Sequence, residues 1–170
     1  MSRNDAIISQ FAGLIACPVV LMTATDGTNR HVMVTTVSYV SLQPLILATS
    51  VLKSSRTATQ ALAIKRMGIA VARYEQREMV EKIATSSATD VFVDAALEPL
   101  AFDSGVLYFA ESLVAFDCSI ASVTECGASA LLSLSVNDAV VLSSGEPLIR
   151  YNRQYGRLME LSAGHDSYPV

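Results

Sequence analysis

Residues 32–57 read VMVTTVSYVSLQPLILATSVLKSSRT, and this stretch decides how the rest of the chain is understood. Its two apolar runs carry hydroxyl residues: Thr35, Thr36, Ser38 and Ser41 in the first, Thr49 and Ser50 in the second. Pro44 separates the runs. The stretch closes on Lys53-Ser54-Ser55-Arg56-Thr57, where a helical pattern begins. A fresh helix start offers unpaired N–H groups, and hydroxyls and cations beside it can converge on one phosphate. The hydroxyl-bearing strands can hydrogen-bond the polar edge of a planar ligand. Each half also has an ordinary reading: polar residues on one strand face are solvated, and Ser or Thr before a helix is an N-cap.

The order of these residues is more telling than their composition. The stretch resembles the flavin reductase-like family, the FMN-binding split barrels, whose pattern runs T-V-N/S-S-F-x-S-V-S-L-D-P-P-L-V-L and then, further on, S-R-T. Val34, Thr36, Val40, Ser41, Leu42, Pro44, Ser55, Arg56 and Thr57 fall in step with it. Thr35 stands where the family has Asn or Ser. Met33, Gln43 and Leu45 depart from Thr, Asp and the second Pro. The resemblance implies a mainly β chain with short helices, folded as one FMN-binding split β-barrel domain over residues 1–170. It also implies a homodimer with flavin near the subunit interface.

Composition agrees with a single domain. At 170 residues the chain can bury a substantial core. Apolar residues make up 51% and mean hydropathy is +0.40, which a large dimer interface would account for. No run is long enough to span a membrane. No basic region followed by an apolar run opens the sequence, so a cytoplasmic location is expected. The net charge of −4 and pI of about 5.1 argue against a general nucleic-acid binder. Cations are local: Lys53 with Arg56, Lys65 with Arg66, then Arg150, Arg153 and Arg157. The middle pair suits a solvated helix end, and the others suit an anionic ligand.

Three scattered cysteines, Cys17, Cys118 and Cys126, form no CxxC, and His31 and His165 lie far from them in sequence. No metal site is expected, and the thiols should pack as small apolar groups. Neither histidine has the setting of a Ser-His-Asp triad, and there is no P-loop or G-x-G-x-x-G. No catalytic residue can be assigned. A flavin protein needs none of these, because the flavin carries the redox chemistry.

In chain order, the spacing of Ile7, Phe11, Leu14 and Ile15 predicts a helix over residues 4–15. A strand from Pro18 to Ala24, a turn at Asp26-Gly27-Thr28-Asn29 and a second strand over 31–39 form a hairpin. Leu45–Val51 reads as a strand buried on both faces. Arg56–Lys65 reads as a helix, Gly68–Tyr74 as a strand and Glu75–Ala84 as a helix. Residues 86–104 read as an excursion, either a connecting loop or a lid over the ligand. Residues 112–124 alternate Val114, Phe116, Cys118 and Ile120 against Ala115, Asp117, Ser119 and Ala121. Residues 128–136 follow after a turn, and 137–143 suit a further strand.

Two departures from the family bear on function. Its strand Asn is Ala70 here, and its G-D-H segment is Gly127-Ala128-Ser129. Both the carboxylate and the imidazole are missing. The closing segment from Glu146 to Leu158 resembles the family's P-L-L-Y-x-x-x-x-Y-x-x-L and brings Arg153 and Tyr155, which can stack on or edge a flavin ring. The cofactor-binding residues that the resemblance implies are Thr35, Thr36, Thr49 and Ser50 for ring and ribityl chain, Lys53, Ser55, Arg56 and Thr57 for the phosphate, and Arg153 and Tyr155. The cofactor would be FMN or FAD. Two readings stay open. One is an NAD(P)H:flavin oxidoreductase delivering reduced flavin, with a monooxygenase as partner. The other is a flavin-binding electron carrier or redox sensor without efficient nicotinamide turnover.

Overall fold

The computed structural model describes residues 11–87 and 91–158. The expected N-terminal helix and His165 fall largely or wholly outside them. Among the described residues no helix is long and apolar enough to cross a membrane.

Residues 30–42 contain neither Gly nor Pro, so nothing in the sequence interrupts an extended chain. They form one run that changes partner midway. Strand β3 (Arg30–Thr35) pairs with β2 (Val20–Thr25), and β4 (Val37–Leu42) pairs with β5 (Leu45–Leu52). The second expected strand is thus two strands joined through Thr36. The β2–β3 turn forms as its sequence dictates: the Asp26 carboxylate accepts the N–H groups of Thr28 (2.9 Å) and Asn29 (2.7 Å). Gly27 there takes φ +91°, a conformation other residues resist.

Further along come helix α1 (Arg56–Ile64), β6 (Arg66–Val71), a 3-10 turn (Tyr74–Gln76) and α2 (Arg77–Thr85). The long strands β9 (Val114–Cys126) and β10 (Ser129–Val141) follow a second excursion. One antiparallel seven-stranded sheet results, in the order β3-β2-β6-β9-β10-β5-β4. Its two edges are consecutive in sequence, so the sheet curls into a barrel joined through Thr36. Outside it, β1 (Cys17–Pro18), β11 (Ile149–Tyr151) and β12 (Gln154–Gly156) make a small sheet.

Alternation along the strands divides the core in two. Val20, Met22 and Ala24 of β2 join Met67 and Ile69 of β6, Leu132 and Leu134 of β10, and Ala58 and Ala61 of α1. The intervening Val19, Leu21, Ala70 and Ala72 face the other way, onto Val32, Val80 and Phe92. An Asn at position 70 would therefore sit in apolar packing. The expectation for β5 is corrected by the same alternation: Leu47, Thr49 and Val51 are buried, but Ser50 and Leu52 are exposed.

The 86–104 excursion is part of the wall rather than a free loop. It contains α3 (Val91–Asp94) and leads into a hairpin of β7 (Leu100–Ala101) and β8 (Leu107–Tyr108). Phe92 is fully buried and stacks on Phe109, with ring centroids 6.0 Å apart. The separate strand expected over 137–143 is the continuation of β10, which passes Asn137 as a bulge.

Asp117 alternates with the larger apolar residues of β9, and it is buried. Arg66 Nε donates to its carboxylate (2.9 Å), a second guanidinium N–H does the same, and Asn137 lies beside them. Burial alone would raise this carboxyl, but the bonds from Arg66, Ser104 and Asn137 outweigh it and hold it below its ordinary value. The stabilisation is therefore present above the unfolded carboxylate pKa of about 3.9 and is lost as pH falls through the lower folded value. Removing one partner of a buried pair costs about 3–5 kcal/mol, and the partial exposure of Arg66 places this one at or below the low end. Arg66→Ala should thus lose about 2–3 kcal/mol in urea unfolding at neutral pH. The deficit should shrink in acid; a deficit independent of pH would assign the loss to packing alone.

The cysteines are all free and only partly as expected. Cys118 is buried, and burial, helped by the Asp117 charge, pushes its thiol up to about 12. Cys17 is half-buried and Cys126 is exposed at the end of β9, so neither is a core residue.

Candidate functional site

The β4–β5 ladder stops at Val37 and Thr49. Beyond that point β3 and β5 splay like the limbs of a fork. Two side-chain bonds tie its base. Thr49 Oγ1 donates to the Thr36 carbonyl (2.6 Å), and Thr35 Oγ1 donates to the Ser50 carbonyl (2.8 Å). Thr49 is buried and its proton goes to backbone, so it braces the fork instead of facing a ligand.

A cavity of about 490 Å³ opens between the limbs. Thr35 and Thr36 line it from β3 and its junction, and Ser50 and Leu52 from β5. Ser129, at the start of β10, and Arg150 and Arg153 complete it. Of the Gly127-Ala128-Ser129 departure, Ser129 thus falls in the cavity wall, while Gly127 and Ala128 are exposed. A second cavity of about 410 Å³ adjoins the first; Met33, Val34 and Arg150 line both. Its wall includes Ser55, Arg56, Thr57 and Tyr155. Both volumes lie within the roughly 300–1,000 Å³ usual for small-molecule sites.

The start of α1 is built for an anion. Ser55 is its N-cap and accepts the Ala58 N–H through its hydroxyl (3.3 Å). No acidic residue stands in the first turn, so the positive end of the helix dipole is not neutralised from within. Eight of the ten residues that the sequence singles out line the two cavities: Thr35, Thr36, Ser50 and Arg153 the first, and Ser55, Arg56, Thr57 and Tyr155 the second. Thr49 lies beneath them. Lys53 lines neither cavity and instead pairs with Glu125 across the β9–β10 end of the barrel. Arg157 is also held away, over the Tyr74 ring and beside Glu146. Arg30 and His31 were not singled out for the site, because a cation after a turn signal gives no hint that its strand borders a cavity.

Arg153 occupies an unusual backbone. With Asn152 it makes the β11–β12 turn, at φ +48° and +62°. Such a turn favours Gly at its second position, and another residue there costs of order 1 kcal/mol. Arg153 lines the first cavity from this turn. Arg153→Gly should raise stability by about 0.5–1 kcal/mol while weakening flavin binding, read by melting curves and flavin titration on one sample. Unchanged affinity would leave the strained arginine without a role in the site.

Residues 12–159 match the family model of the flavin reductase like domain. The chain belongs to that family. Among solved structures, this flavin reductase-like chain is similar to nitrilotriacetate monooxygenase component B from Mycobacterium thermoresistibile, at 18% identity and TM-score 0.87 over 98% of this chain and 93% of that one. It is also similar to the NADH:FAD oxidoreductase of Streptomyces globisporus in complex with NAD and FAD fragments, at 17% identity and TM-score 0.85, covering 95% and 98%. A third is the flavin reductase component of a bacterial two-component tryptophan halogenase, at 16% identity and TM-score 0.82, covering 92% and 99%. At these identities the likeness shows the shared fold. No curated protein matches the sequence.

Proposed function

We propose that this flavin reductase-like chain binds flavin in the fork, where a nicotinamide nucleotide reduces the flavin, and releases the reduced flavin to a partner such as a monooxygenase. One observation carries the reading: hydroxyls at the fork base lead, along one continuous wall, to a helix start free of acidic residues. Thr35, Thr36 and Ser50 would bond the ring and ribityl oxygens. Ser55, Arg56 and Thr57 would hold the phosphate of FMN, or the first phosphate of FAD. Thr49 would act indirectly, by fixing the backbone between them. Arg153 and Tyr155 would confine the ring and tail. When bound, the flavin supplies the hydride-accepting chemistry, and the chain's part is orientation and exclusion of water. The component roles named for the similar structures support a partner enzyme.

A homodimer belongs to the same reading. Strand β4 is a sheet edge, and Tyr39, Val40 and Leu42 on it are largely exposed, with Leu131 on β10 exposed as well. An exposed apolar edge of this kind ordinarily requires a cover.

Ser129 favours the second reading, a flavin carrier or sensor with slow nicotinamide oxidation. It places one neutral hydroxyl in the cavity wall at the position where the family has an imidazole. The bound-flavin absorbance spectrum tests the shared premise. Anaerobic stopped-flow mixing of the flavin-loaded protein with NADH or NADPH separates the two readings. Slow reduction is expected for the wild type, with at least a tenfold gain when Asp and His are restored by A128D and S129H. Rapid, saturable reduction of the wild type, unchanged by that double substitution, would show the missing imidazole to be irrelevant.

A further inference from the structure

We propose that a third cavity, at the end of the barrel away from the fork, is a separate ligand site that takes a neutral aromatic molecule of one or two rings, with a carbonyl or hydroxyl oxygen turned to Arg66. The proposal does not depend on the flavin reading. The cavity holds about 370 Å³ and shares no lining residue with the other two. It forms where the end of β2, the start of β6 and the β7–β8 hairpin meet the last turn of α1. The chain leaves Val19, in the wall of the first cavity, and runs as β2 to Thr25, in the wall of the third. At about 3.4 Å per residue the two walls stand roughly 20 Å apart.

Volume sets the size of the ligand. A dry cavity of roughly 150 Å³ accepts benzene, so about 370 Å³ admits one or two rings. Ala24, Ile64, Met67, Val106 and Leu107 supply apolar wall for them. Small-molecule sites combine such a wall with a few placed polar groups. Here most polar side chains already have a partner within the protein. Thr23 donates to the Leu107 carbonyl, and the Thr25 hydroxyl accepts the Gly27 N–H. The Ser104 hydroxyl accepts the Val106 N–H and bonds Asp117. Arg66 is the exception, because a guanidinium carries more donors than its two bonds to Asp117 use. Those two bonds also fix its plane, so the remaining N–H groups lose little freedom on meeting an acceptor. Charge then selects a neutral one. Asp117 already balances Arg66, and Asp26 stands in the cavity wall. The bonds from Asn29 and Thr28 hold the Asp26 carboxyl well below the usual range, so it is ionised at neutral pH. A carboxylate ligand would face that charge; a carbonyl or hydroxyl would not.

Amide NMR of the full chain, titrated with acetophenone, ethylbenzene and benzoate, tests the site and its chemistry together. Acetophenone should shift the amides of Ala24, Gly27, Gly105 and Val106 saturably, with a dissociation constant below about 1 mM. It should bind about tenfold tighter than ethylbenzene, which has the ring without the acceptor. Benzoate should bind more weakly than acetophenone. Ile64 lies at the exposed rim, so Ile64→Trp should fill the cavity without touching the core and abolish these shifts. Arg66→Lys keeps the charge opposite Asp117 but not the planar fork. It should bring acetophenone towards the affinity of ethylbenzene and leave ethylbenzene within about twofold. Melting curves confirm that both variants fold. The proposal is overturned if no probe gives saturable shifts at these amides, or if the shifts fall at Thr35 and Ser50 instead. It is equally overturned if Ile64→Trp leaves the shifts unchanged, or if ethylbenzene or benzoate binds as tightly as acetophenone.

Discussion

Replacing Gly68 by alanine should destabilise the protein by about 2–4 kcal/mol, from overpacking of roughly 1–3 kcal/mol and a lost hydrogen bond of about 1 kcal/mol. Gly68 sits in β6 where β8 crosses it. An added methyl would overlap the Leu107 carbonyl oxygen and the Thr23 hydroxyl, and would press on Val106. The first of these is backbone and cannot rotate aside. Those two oxygens are themselves joined, Thr23 Oγ1 donating to Leu107 O at 2.6 Å. The variant must therefore push β8 off the barrel or break that bond. Single domains have only about 5–15 kcal/mol in hand, so the melting temperature should fall by roughly 10 °C. Gly127→Ala is the control, because its position meets nothing within 4 Å and costs only the strain of φ +62°. A Gly68→Ala melt no lower than that of Gly127→Ala would show that β8 yields freely.

Arg56→Ala should weaken FMN or FAD at least tenfold and riboflavin much less. Charge-assisted hydrogen bonds contribute about 1.5–3 kcal/mol each, and about 1.4 kcal/mol is a factor of ten. Arg56 is the first residue of α1 and lines the second cavity with Ser55 and Thr57. Its side chain is exposed, so its removal leaves no void, and melting curves on the same samples separate any loss of stability from loss of binding. Fluorescence titration with the three flavins reads the contrast directly. Equal losses for riboflavin and FMN would place the phosphate away from the helix start.

The helix start at Ser55 was legible in the sequence because its signals are local. Ser55 lies where a cap must lie, and helix periodicity begins at the next residue. The split itself was not legible. Nothing in residues 30–42 marks Thr36, since a change of strand partner leaves no gap in β propensity. Residues 137–143 read as a separate strand and proved to continue β10 past a bulge, because the pairing continues on both sides of it. The burial of Asp117 was not legible either, because alternation assigns faces without saying which face is dry. Its partner Arg66 lies 51 residues away in sequence. Arg30 escaped notice for a related reason: its neighbourhood is made by α1, α2 and β11, none of them adjacent to it in the chain.

Thr36 also determines where this chain can change length. It is the only residue between two strands that belong to opposite edges of the sheet. In an extended chain, adding or deleting one residue turns every following side chain to the other face. At position 36 that inversion would pull Thr35 from Ser50 or expose Val37, dissolving barrel and ligand wall together. The Asp26–Asn29 and Gly127–Ala128 turns face solvent and can absorb extra residues. Insertions and deletions among natural relatives should gather at those tips and spare the junction, so an alignment that opens a gap at residue 36 is misaligned there.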